Sequence, residues 1–244
     1  MVSEIKIEYI NRLIEECLSE DGDALELPGR FLGDEGLQVL VQSDSLGAVE
    51  DLDLSRNNLT FRGAVALAEC DAFKSLKRLY IGENNIADKG AVALARAHFV
   101  ENLAQLDVRF NNINPTGGLA LVRSEGFKKL QVLIFQENPV GDETLIEMAK
   151  ASNFGNLRKL NFYRTGISVK GIKLLAKSKV FKKLKYLNLA RNYLHFDSAR
   201  ALAATKTLSN VETLLMFDTT IGDAGVEAIM TSGSFPKLKT LRVT

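Results

Sequence analysis

Cysteine and histidine are scarce in this sequence, at two residues each in 244, and the scarcity removes several kinds of chemistry. Cys17 and Cys70 have neither a metal-ligand spacing nor the density of a disulfide scaffold, which fits a reducing compartment. Both read as small apolar residues on helices. His98 and His195 fall in different parts of the chain, one after a helical segment and one in a loop, so neither has a partner for catalysis or metal binding. No phosphate-binding Walker loop, dinucleotide-binding glycine motif, HExxH helix or EF-hand loop is present. The expectation is a protein with no catalytic residues, no metal and no cofactor. Apolar runs fall short of the roughly 18 residues that span a bilayer, and the N-terminus MVSEIKIEYINRLIEEC lacks a basic-then-apolar signal layout. A cytoplasmic location follows, or export by a route needing no such signal, without membrane partners.

Net charge is also nearly lacking, at +1, but the balance hides an asymmetry. Residues 1–122 hold 11 Lys+Arg and 20 Asp+Glu (11 − 20 = −9), and residues 123–244 hold 20 and 10 (20 − 10 = +10). In an elongated fold the two charges stay apart. The stretch EDLDLS sets Glu50, Asp51 and Asp53 together, and reads as an acidic patch before it reads as a cation site.

What is abundant is repetition. Leu25, Leu52, Leu79, Leu106, Leu133, Leu160, Leu187, Leu214 and Leu241 stand at one constant spacing (79 − 52 = 27) with no insertion. Two residues later comes another apolar column (Leu27, Leu54, Ile81, Val108 and onward), the period-two signature of a short strand with one buried face. Five later stand Asn57, Asn84, Asn111, Asn138 and Asn192, whose inward amides can satisfy backbone groups of the neighbouring turn. A glycine column (Gly36, Gly63, Gly90, Gly117, Gly171, Gly225) then opens Ala- and Leu-rich segments of helical spacing, such as GAVALAEC. A phenylalanine column (Phe73, Phe127, Phe154, Phe181, Phe235) fills the return loop.

Each unit is therefore strand, turn, helix and return loop, and only stacked copies can bury its apolar face. The layout LxxLxLxxNxIxxxGAxALA resembles the leucine-rich repeat, in its ribonuclease-inhibitor-like class, and phrases such as NNIADKGAVALA look most like bacterial members. The resemblance covers residues from about 23 to 244. It implies an α/β right-handed solenoid, or horseshoe, with a parallel sheet on the concave face and helices on the convex face. Residues 1–22 are expected to form an N-terminal capping helix, N-capped by Ser3 with Ile7, Ile10, Ile14, Cys17 and Leu18 along one face. Residues 23–244 form about eight full repeats and a final strand, an open edge suggesting either a fragment or a normally covered end. Thr165 and Thr219 in the asparagine column, and Thr144 and Ser198 in the glycine column, depart from the pattern and bear on local turn geometry in those units.

Positions one before, one after and three after each index leucine face the open side of the sheet, where nothing in the fold demands apolar residues. Arg78, Tyr80, Arg109, Tyr163, Tyr186 and Phe217 occupy them, and Phe110, Arg164, Arg191 and Tyr193 follow at the strand ends. Ile134, with Val132, is expected to add apolar exposure near the middle. Tyrosine, phenylalanine and arginine are enriched at binding hot spots, so these residues form the candidate partner-binding surface. The alternative, that the rings stack on one another and bind nothing, stays open. A non-catalytic scaffold for a protein partner is the preferred reading, as a monomer or with weak, salt-dependent self-association. The alternative rests on similar repeats in a Ran GTPase-activating protein. It is a GTPase regulator acting through Arg56, Arg109, Arg164 or Arg191 at strand ends. Basic groups scattered over loops, the FKKL lysines among them, argue against nucleic acid.

Overall fold

Each index leucine must leave water while its chain neighbours need not, and a three-residue strand achieves this with a single inward side chain. The computed structural model describes residues 2–243. Met1 and Thr244, the outermost residues of the predicted cap and solenoid, lie outside the described residues. The strands are β1 (Ala24–Glu26), β2 (Asp51–Asp53), β3 (Arg78–Tyr80), β4 (Gln105–Asp107), β5 (Val132–Ile134), β6 (Lys159–Asn161), β7 (Tyr186–Asn188), β8 (Thr213–Leu215) and β9 (Thr240–Arg242). They form one sheet in chain order, every neighbouring pair parallel. Leu25 pairs with Leu52, Leu52 with Leu79, and so on to Leu214 with Leu241, so the register is one repeat at every step. At about 4.8 Å per strand, eight steps make a sheet about 38 Å long.

Helices alternate with the strands: α1 (Glu4–Cys17), α2 (Gly33–Leu40), α3 (Phe61–Ala68), α4 (Ala87–Leu94), α5 (Pro115–Arg123), α6 (Gly141–Met148), α7 (Val169–Leu175), α8 (Phe196–Ala203) and α9 (Gly222–Thr231). Between the two layers lies one continuous core. The index leucines from Leu25 to Leu214 are buried, as are Phe73, Phe127, Phe154 and Phe181 in the return loops. Burying one such side chain stabilises by roughly 1.5–3 kcal/mol, which no unit could achieve without its neighbours.

In the cap, the Ser3 side chain accepts a hydrogen bond from the Lys6 amide, as an N-cap should. The buried stripe of α1 is Ile10, Leu13 and Ile14. It departs in part from the expected one: Ile7 is exposed, and Leu18 lies beyond the helix, bridged to Leu25. Successive buried positions at 3.6-residue spacing put Leu13 on the covered face and rotate Ile7 to its margin.

The asparagine column forms a ladder. The Asn138 carboxamide oxygen accepts from the amides of Asn111 (2.9 Å) and Ile113 (3.0 Å), while its nitrogen donates to the carbonyls of Val108 (2.8 Å) and Phe135 (3.1 Å). Asn57 and Asn192 act alike in their units. Thr165 has no second arm; its hydroxyl donates to Phe162 O at 2.9 Å.

The glycine column sits within the first helical turn rather than opening the helix, because close packing of adjacent helices requires it. A Cβ on Gly90 would stand 3.0 Å from the Ala64 Cβ of the preceding helix, and closer still to Ile86 of its own unit. Where Thr144 replaces the glycine, the preceding helix yields instead: Gly118 takes the place of that alanine, and a Cβ there would meet the Thr144 hydroxyl at 2.5 Å. Ser198 has no such concession, and its hydroxyl is buried without a hydrogen-bond partner.

Helix entry has a period of two units. Asp34 accepts from the amides of Thr60 and Gly63, Asp88 from those of Asn114 and Gly117, and Asp142 from those of Ser168 and Gly171. One carboxylate in the first turn of α2, α4 or α6 thus caps the helix of the next unit.

Candidate protein-binding surface

The parallel register sorts the concave side chains into rows. The row just after the index leucines runs Glu26, Asp53, Tyr80, Asp107, Ile134, Asn161, Asn188, Leu215, Arg242. Its middle is covered: Asp107, Ile134, Asn161 and Asn188 are only 1%, 6%, 7% and 6% exposed. Ile134 therefore does not supply the exposed apolar contact expected of it, and Val132 is half-buried. Side-chain tips converge on the inside of a curved sheet, so the middle row is walled in by the rows beside it and by its own members.

The flanking rows carry the surface in two chemically distinct parts. Over β2–β4 both concave arginines are paired with carboxylates, and Asp53, which accepts from the Ser55 amide, adds a further negative charge. Arg78 pairs with Asp51 beside it on the sheet. Arg109 folds back on buried Asp107, and these hydrogen bonds hold its guanidinium pKa above the ordinary arginine value. The Arg109 stem lies over Gly82, where a Cβ would stand 2.8 Å from its Cγ. Tyr80 is half-buried among these groups, and burial, followed by the nearby Asp51 carboxylate, pushes its phenol pKa up.

Over β6–β9 the surface is aromatic and cationic. Tyr163 and Phe217 flank fully buried Ala190 and bring their rings together at 5.9 Å between centroids. The Arg191 guanidinium lies 5.7 Å from the Tyr163 ring centre, and that of Arg242 lies 5.2 Å from Phe217. Beside them the Lys159 ammonium stands 5.0 Å from the Tyr186 ring, whose hydroxyl burial keeps protonated to higher pH. Lys159 and Arg242 thus rest on ring faces. Tyr163, Tyr186 and Phe217 are half-buried, which fits rings lying on a sheet and not inside the core.

At the strand exits, Arg56, Glu83, Phe110, Glu137, Arg164, Arg191 and Asp218 all take left-handed backbone, with φ between 49° and 59°. That conformation costs a non-glycine residue roughly 1–2 kcal/mol. It persists because the amide bonds the next unit, as Phe110 does to Gln136 O and Arg164 to Ala190 O, both at 3.0 Å. The side chains splay outward and pair along the row: Arg56 with Glu83 at 2.7 Å, Arg164 with Glu137 at 3.1 Å, Arg191 with Asp218 at 2.8 Å. Phe110 and Tyr193 project from this edge, 42% and 76% exposed. Phe31, Phe61 and Phe196 are exposed on the same side, a concentration that emerges once the turn positions of separate units are aligned.

His98 and His195 are exposed and far apart in the repeat, and among the described residues no group of three or more His, Cys, Asp or Glu could hold a metal ion. A family model described as Leucine Rich repeat matches residues 49–68, 74–95, 101–122 and 207–230. The chain folds as a leucine-rich-repeat solenoid. No curated protein matches it. Among solved structures, a yeast complex of Rad7 and Elc1 contains a chain similar to this solenoid at 16% identity and a TM-score of 0.53, over 92% of this chain and 64% of that one. A plant peptide hormone receptor, RGFR1 in complex with RGF2, matches at 15% identity and a TM-score of 0.46, over 85% of this chain and 33% of that one. The solenoid thus spans less than two thirds of either chain. At 16% identity the likeness to the chain in the Rad7 and Elc1 complex is one of fold.

Proposed function

We propose that this solenoid is a non-catalytic scaffold that binds a protein partner on its concave face, chiefly over β6–β9. The observation that carries the reading is the Tyr163–Phe217 contact with Arg191 and Arg242 laid over the two rings. Rigid aromatic area beside directional cations is the composition of a binding hot spot. The rings meet at a tilt of 47° and do not stack face to face, and both stay only partly buried, leaving area for a partner. Tyr186 extends the patch along the sheet, and Phe110, Arg164 and Tyr193 border it at the strand exits; the Arg78, Tyr80 and Arg109 region adds contacts at the acidic N-terminal end, whose carboxylates, set against the basic C-terminal end, fix partner orientation. Ile134 has no part in it.

Leucine-rich-repeat proteins generally serve as interaction scaffolds, which supports the same reading. Arg56, Arg109, Arg164 and Arg191 are each paired with a carboxylate, so a GTPase-activating arginine would first have to break an ion pair. This favours the scaffold over the GTPase regulator. Placement in the ribonuclease-inhibitor-like class, among bacterial repeats of this length, and residence in the cytoplasm complete the proposal. Among the described residues no helix is long and apolar enough to cross a membrane.

The test is affinity purification with the native chain and with a Tyr163→Ala, Tyr186→Ala, Phe217→Ala triple variant. The variant is expected to stay folded, because its index leucines are untouched, and to lose the partner. Retention of the partner by a folded variant refutes the reading.

A further inference from the structure

The loop edge where the chain enters the strands carries a second periodic device. Four residues before successive index leucines stand Asn102, Lys129, Asn156, Lys183, Asn210 and Lys237, asparagine and lysine alternating over six units. Each lysine ammonium donates to the asparagine one unit earlier: Lys129 to Asn102 at 2.8 Å, Lys183 to Asn156 at 2.8 Å, Lys237 to Asn210 at 2.7 Å. Each asparagine is itself fixed, its nitrogen donating to the carbonyl of Lys74 (2.9 Å), Lys128 (2.8 Å) or Lys182 (2.7 Å). The arginines at the strand exits are neutralised by carboxylates. These lysines are held by neutral amides, which set their position and leave their charge, along with spare donors, available.

The groove beside this row, about 540 Å³, is lined by five cations, Lys74, Lys77, Lys129, Arg158 and Lys183, against one carboxylate, Glu50, which already bonds Lys77. We propose that the strand-entry edge is a docking surface for an extended acidic segment of a partner protein, whose carboxylates bridge successive fixed lysines. Lysines two units apart are about 9.6 Å apart; in a peptide of polyproline-II conformation every third residue returns to the same face and advances about 9.3 Å, so the two periods match. A membrane fits less well: the large exposed aromatics Phe31, Phe110 and Tyr193 lie on the opposite edge. A nucleic acid fits less well, because the row interleaves amides where base-stacking aromatics would be needed. The proposal stands apart from the concave-face reading, since the residues are different.

The experiment measures binding of a fluorescent peptide of about twelve residues, glutamate at every third position, to the full chain across a salt series. A glutamine-substituted peptide and a single-stranded oligonucleotide of equal charge serve as comparisons. The Lys129→Gln, Lys183→Gln, Lys237→Gln variant should bind the acidic peptide about tenfold more weakly. The Asn102→Ala, Asn156→Ala, Asn210→Ala variant, which keeps every charge, should show an intermediate loss. Melting curves verify that both variants fold. Native-like affinity in either folded variant overturns the proposal, as does tighter binding of the oligonucleotide. The Tyr163→Ala, Tyr186→Ala, Phe217→Ala variant should bind the peptide normally. Loss there would place the peptide on the concave face and overturn this proposal alone.

Discussion

Replacing Asn138 by alanine tests the ladder that holds consecutive coils in register. The substitution removes the acceptor of two buried amides, those of Asn111 and Ile113, and the donor to Val108 O and Phe135 O. Each buried amide left without a partner costs about 1–3 kcal/mol, so the two donors alone predict a loss of about 2–6 kcal/mol. The carbonyls add less, having second lone pairs. Thr165→Ala, in the same column, removes the hydroxyl bond to Phe162 O at 2.9 Å and a long contact to Asn192 Oδ1 at 3.4 Å, and should cost only about 1 kcal/mol. Urea unfolding followed by circular dichroism measures both. Asn138→Ala is also expected to lower the slope of the transition, because a solenoid weakened at one interface unfolds in two blocks. A loss for Asn138→Ala no larger than that for Thr165→Ala would refute the assignment of the column as a buried backbone clamp.

Two further substitutions probe other consequences of the repeat. Ser198→Ala removes a buried hydroxyl with no partner while keeping the Cβ, and should raise the urea midpoint, by about 1 kcal/mol of stability; a drop would mean the hydroxyl is satisfied. The Glu212 carboxylate accepts from Lys239 and Lys185, which pull its pKa from 4.5 to about 2 in the fold. A depressed carboxylate pKa stabilises above the unfolded value and loses that contribution as pH falls from about 4.5 towards 2. Glu212→Gln should therefore weaken the pH dependence of the urea midpoint between pH 6 and pH 3, and an unaltered acid limb would contradict the pairing.

Much of the architecture could be read from the chain because one period governs it. A leucine at one fixed interval sets strand, register and core together, and all eight strand pairings follow it. The rows of Tyr163, Tyr186 and Phe217 were legible for the same reason. Ile134 was not, since alternation says which face a side chain takes and curvature decides how crowded that face is. Ion pairing also escaped: Arg164 and Glu137 lie a full repeat apart and meet because they share a column, so neither looks paired locally. The capping aspartates Asp34, Asp88 and Asp142, and the lysine–asparagine row, recur only in every second unit, and comparison of adjacent units hides them. The exception in unit five, Gly118 facing Thr144, becomes visible only when neighbouring helices are in contact.

The most direct measurement is amide hydrogen exchange on the chain alone and in complex with the partner it captures. Exchange should slow in residues 159–164, 186–193 and 213–218, the concave strands and exits of β6–β8. Protection confined to the convex helices α6–α9, with those strand segments unchanged, would contradict the concave-face reading.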